Sequence, residues 1–159
     1  MCMSGIGEKN RQDKVEKSEN NMLFNNISDK SSIDYLMHMF NGFHDSCIKE
    51  IRYVSGTYVD RNRAINPFDS IKTAAVIFQS QSAAIRTIEM KFEKVHRLIL
   101  CPKGEDEDAI IYGASIKKYN GLLYWSSIDD AELTELESNE FTWISSEKIS
   151  WTVLNDFEE

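Results

Sequence analysis

The sequence predicts an α+β protein, mostly β: an antiparallel sheet of seven or eight strands, curled or stacked, with one N-terminal helix packed on it. Three observations point there. Only one stretch, Ser31 to Phe40, repeats its apolar residues at helical spacing, as Ile33, Leu36, Met37 and Phe40. From Cys47 onward the period falls to two, with β-branched and aromatic residues enriched. The two kinds of pattern do not alternate along the chain, which argues against a parallel α/β sheet.

At 159 residues the chain is long enough for one domain with its own core. A hydrophobic share of 42% with 28% charged residues is that of a globular protein. Residues 1–28 read as a disordered or loosely docked polar tail, because Glu8–Lys14 and Lys17–Asn21 have too little apolar surface to offset ordering entropy. Residues 29–159 read as a single β-rich domain.

The helix is predicted to start at Ser31-Ser32, where a serine caps the first turn and Asp34 suits its positive end. Asn41-Gly42 should stop it. Strand one runs from Ile48 to Val54, with Gly56 as a bulge and Tyr58-Val59 as an extension. Asp60 to Pro67 reads as a loop, since Pro cannot sit in a central ladder. Strand two spans Lys72 to Gln79, and Ser80 to Ala83 form its exit turn. Strand three is Ile85 to Phe92, a break falls at Glu93-Lys94, and strand four is Val95 to Cys101. Strands five (Ala109 to Lys117) and six (Leu122 to Ser127) flank Asn120-Gly121, the strongest hairpin signal in the chain. An acidic connection at 128–140, with Leu133 and Leu136 on one helical turn, leads to a last pair of strands, Phe141 to Ile144 and Ile149 to Val153.

Charge is unevenly placed. Residues 43–104 hold 10 Lys and Arg against 6 Asp and Glu, whereas residues 105–159 hold 3 against 14. Such a C-terminal third repels phosphate backbones and attracts basic proteins, so nucleic acid is not the expected partner. No apolar run is long enough to span a bilayer. The first seven residues lack the apolar core of a signal peptide, and Cys2, Cys47 and Cys101 are widely spaced without a CxxC pair. The expected compartment is a reducing cytoplasm, with no membrane partner.

Sequence motifs assign no catalytic residue, no metal and no cofactor. A Gly-rich phosphate loop, HExxH and GxSxG are all missing. His44-Asp45-Ser46-Cys47 contains the letters of nucleophilic chemistry, but consecutive strand residues point to opposite faces. The reading is structural: Asp45 or Ser46 accepts backbone amides where helix gives way to strand, and His44 braces the turn. Cys47 reads as a small buried hydrophobe rather than a thiolate paired with His96. The alternative function is a small metal-assisted hydrolase using His44 and Asp45, with Glu105 to Asp108 the other available ligands.

The leading function is protein binding through an acidic and aromatic surface made of Glu105, Asp106, Glu107, Asp108, Asp129, Asp130, Glu132 and Tyr119. Its partner would be a basic protein. The stretch from Phe43 to Ile51, with Val76-Ile77-Phe78, Ile88 to Leu98, Tyr124-Trp125 and Thr142-Trp143-Ile144, resembles small uncharacterised bacterial proteins. Those share an aromatic-His-Asp-small opening to a strand, and similar patterns occur among immunity proteins of polymorphic toxin systems. The resemblance implies a β-rich inhibitor that covers a cognate toxin, and a structural role for His44 and Asp45.

Overall fold

The computed structural model describes residues 23–132, 134–135 and 140–155. Its elements are β1 (Asn25–Ile27), α1 (Lys30–Met39), β2 (Ser46–Val54), β3 (Tyr58–Val59), β4 (Ile65–Asn66), β5 (Thr73–Ser80), β6 (Thr87–Ile99), β7 (Ser115–Tyr119), β8 (Leu122–Ser126) and β9 (Trp143–Val153). One antiparallel sheet takes the order β2-β5-β6-β9-β8-β7, and β1 adds to the end of β9 that β8 leaves uncovered. This is the mostly-β α+β class that the periodicities predicted.

The sheet is strongly curled. On a flat sheet Phe78 of β5 and Trp125 of β8 would lie at least three ladder steps, roughly 14 Å, apart, and they are offset along the strands as well. Their ring centroids are 4.9 Å apart, so the concave face closes on itself. The edges nearly meet as well: Ser46 at the start of β2 exchanges two backbone hydrogen bonds with Ile111, at 3.3 and 2.7 Å, just before β7 begins. The sheet nevertheless stays open. Helix α1 covers the concave side with buried Leu36, while Tyr35 lies over Trp151 at 6.0 Å.

Several boundaries differ from the sequence reading. The domain starts before residue 29, because Asn25–Ile27 pair with Ile149–Trp151; residues 1–22 lie outside the described residues. The helix cap is Asp29 rather than a serine. Asp29 accepts from Ser32 N at 2.9 Å, while Ser32 Oγ accepts from Asp29 N at 3.0 Å, a reciprocal box that satisfies free amides at both positions. Asp34 pairs with Lys30 at 2.7 Å instead of serving the helix end. The helical turn expected around Leu133 and Leu136 falls on residues outside the described ones.

Predicted strands three and four are one strand, β6, and the last pair is also one strand, β9. The expected break at Glu93-Lys94 is a bend. Lys94 takes a left-handed φ of 52°, and core-facing positions shift from Phe92 to Val95. In β9 they shift alongside it from Ser146 to Ile149. At the bend Lys94 meets Glu147 at 3.0 Å, and this ammonium holds the Glu147 carboxyl below its ordinary range. The bulge in strand one is at Lys49, where register shifts between Ile48 and Glu50, and Gly56 instead separates β2 from β3. Predicted strand five begins only at Ser115, because Ala109 to Ala114 peel away to bridge the other edge. The Asn120-Gly121 hairpin forms as predicted, with Tyr119 opposite Leu122 and both turn residues at positive φ.

The cap has a pH consequence. Hydrogen bonds from the Ser32 amide and hydroxyl hold the Asp29 carboxyl below its ordinary value of 3.8. A carboxyl lowered on folding adds stability that is fully present above its unfolded value and is lost as pH falls through the folded one. Asp29→Ala should therefore have a lower urea midpoint than the wild type at neutral pH. The gap should close in titrations taken below that ordinary value, and a gap independent of pH would contradict the cap's charge.

Candidate functional site

The acidic loop and the free edge of β2 open on one groove of about 890 Å³. One wall is Ile48 and Ile51 of β2, and the other is formed by residues 100–103 and 106–113, with 127–129 and 140–142 as the floor and end. Local bonds explain how the loop holds its shape. Glu107 N donates to Gly104 O at 3.1 Å and its carboxylate accepts from Gly104 N at 3.0 Å, closing a tight turn after Pro102. Asp108 accepts from Ile110 N at 3.1 Å and from the Tyr112 hydroxyl at 3.1 Å. The floor is tied by Thr142, which accepts from Cys101 N and Ser127 N and donates its own amide to Ser127 Oγ. Gly113 lets the floor close in, since a Cβ there would stand 2.9 Å from the Asp129 side chain.

The groove combines two chemistries. Asp106, Glu107, Asp108, Asp129 and Glu140 face one lysine, Lys103, for a formal charge of −4. Beside them Leu100, Ile110 and Tyr112 are exposed apolar surface. The Tyr112 hydroxyl is pushed above its usual value by the bond it gives Asp108, then by the negative charge of Asp108 and of Asp45. It stays protonated and keeps donating. Such a surface can take an extended or looped segment carrying cations next to apolar side chains.

The predicted surface divides. Asp106, Glu107, Asp108 and Asp129 line the groove; Glu105, Asp130, Glu132 and Tyr119 do not. Asp130 pairs with Lys117 at 3.4 Å, Glu132 N donates to Glu135 at 2.8 Å, and Tyr119 sits at the tip of the β7–β8 hairpin. Sequence reading missed the apolar half: Ile48 and Ile51 read as ordinary strand residues, and Tyr112 as part of strand five. The one usable signal was the acidic run followed at once by Ala109-Ile110-Ile111-Tyr112.

His44, Asp45 and Ser46 form the corner beside the groove. His44 Nδ1 lies 3.0 Å from Asp45, and the main chain is pinned to the β5–β6 turn through Ser82 Oγ to His44 O and Gln81 N to Asp45 O. Ser46 Oγ donates to Phe43 O at 2.6 Å, where the sequence reading had a side chain at this turn accepting a backbone amide. Four of the five residues from Asn41 to Asp45 have positive φ, including the bulky Phe43 at 63°. Among the described residues no three His, Cys, Asp or Glu side chains are placed to hold a metal ion. His44 and Asp45 thus gather no third ligand there. No family model, no curated protein and no solved structure matches the chain.

Proposed function

We propose that this protein is a binding domain whose groove covers a basic, partly apolar segment of another protein, in the manner of an immunity-type inhibitor acting in a reducing cytoplasm. The observation that supports it is the opening of four predicted acidic residues and an unpredicted apolar wall onto the same groove. Carboxylates draw a basic partner in and set its orientation; the apolar wall slows its departure. Electrostatic guidance of this kind raises association rates by roughly 10–10³.

The test is a tagged pull-down from the native host at low and moderate salt, wild type beside a variant with Glu105, Asp106, Glu107 and Asp108 all changed to lysine. One basic protein should co-elute near stoichiometry with the wild type and be lost from the variant. Measured against that protein, the variant should associate about tenfold or more slowly and lose most of its salt sensitivity. Equal affinity and equal salt dependence in both would sink the groove as the binding surface.

A further inference from the structure

Residues 55–72 form an arm that continues the β2–β5 hairpin past the end of the sheet. Tyr58 pairs with Asn66 and Val59 with Ile65, and this ladder joins no other strand among the described residues. The arm is well braced. Asp60 accepts from Asn62 N at 2.8 Å and Ala64 N at 2.9 Å, and at the base Ser55 O accepts from both Ile71 N and Lys72 N. Yet its apolar side chains point to water. Half of the exposed large apolar residues among the described ones fall within 53–71, and Ile65 and Phe68 are 70% and 71% exposed. A braced hairpin that holds Tyr58, Val59, Ile65, Phe68 and Ile71 in solvent gains nothing for folding, and patches of this kind mark interfaces.

The arm's charge is opposite to that of the groove. Arg61 and Arg63 stand at its tip and Arg52 and Lys72 at its base, against Asp60 and Asp69. We infer that the arm of one copy docks in the acidic groove of a second copy, so that the free protein self-associates and covers its own binding surface. This rests on the groove's taking a basic, apolar segment, as proposed above. Reciprocal exchange, arm to groove and groove to arm, gives a closed two-fold dimer. Arm-on-arm pairing is disfavoured, because it would bring together two segments of the same net positive charge, each with Arg52, Arg61, Arg63 and Lys72 against Asp60 and Asp69.

Sedimentation of the pure full chain, with no partner present, tests it. Weight-average mass should rise with concentration from 18.3 kDa toward twice that value. Arg61→Glu with Arg63→Glu should return it to monomer, as should Asp106→Arg with Asp129→Arg, each with an unchanged urea midpoint. Phe68→Asp gives an independent loss through the apolar contact. Mixing the two charge variants should restore the dimer, because one contact is then native and the other is native with its charges exchanged. A single monomer mass up to about 1 mM protein, a generous limit for a specific contact, would overturn the inference. So would association that survives Asp106→Arg with Asp129→Arg, since that assigns it to another surface. If the chain stays monomeric while the pull-down partner still needs the acidic loop, only the self-association falls.

Discussion

Phe43→Ala should cost about 3–5 kcal/mol, the range for removing a buried aromatic ring, out of the 5–15 kcal/mol that holds a typical domain together. Phe43 is fully buried, and its ring meets Phe40 at 5.0 Å, Phe78 at 5.1 Å and Trp125 at 5.8 Å, mostly edge to face. It is the plug where helix corner, β5 and β8 converge inside the curl. Its backbone sits at a φ of 63°, a conformation L side chains adopt only at a cost. Phe43→Gly should therefore be no less stable than Phe43→Ala, the reverse of the usual order, because glycine relieves that backbone cost. Urea unfolding of the three proteins checks both statements. A loss below about 1 kcal/mol for alanine would mean the cluster repacks without the ring.

Gly56→Ala should cost about 1–3 kcal/mol for the backbone conformation alone. At a φ of 98° its added Cβ would also meet Ser70 Oγ at 2.6 Å and Ile71 N at 2.7 Å. The main-chain atom cannot swing aside as a side chain would, so the arm's base must open. Amide exchange at Ile71 and Lys72, which donate to Ser55 O, should accelerate while the β6–β9 ladder stays protected. Gly42→Ala is the control, with a φ of 60° and open space around the new methyl. Equal losses at the two sites would show that the close approach at Ser70 and Ile71 does not matter.

The parts of the fold legible in the sequence were those whose signals are local. Asn120-Gly121 specifies its own turn, the spacing of Ile33, Leu36, Met37 and Phe40 specifies a helix, and alternation in Thr73–Ser80 specifies a strand. Misplaced boundaries share a cause. Glu93-Lys94 and the stretch from Ser145 to Lys148 look like breaks because the alternation of core positions resets there, but two neighbouring strands reset together and their pairing continues. The three residues of β1 are strand only because β9 offers a free edge.

The same division holds for the site. Four of the five carboxylates of the groove, Asp106, Glu107, Asp108 and Asp129 but not Glu140, were visible as acidic segments, a property of composition. Its apolar wall was not, since Ile48 and Ile51 are separated from Ile110 and Tyr112 by some sixty residues of chain. They share a groove because the sheet curls until Ile111 reaches Ser46. The class, the helix and the hairpin follow from interactions between near neighbours, and the place of the negative charge follows from composition alone. Tertiary structure decided the curl, the groove and the exposed arm, because strand pairing and side-chain packing join residues whose separation along the chain bears no signal of where they meet.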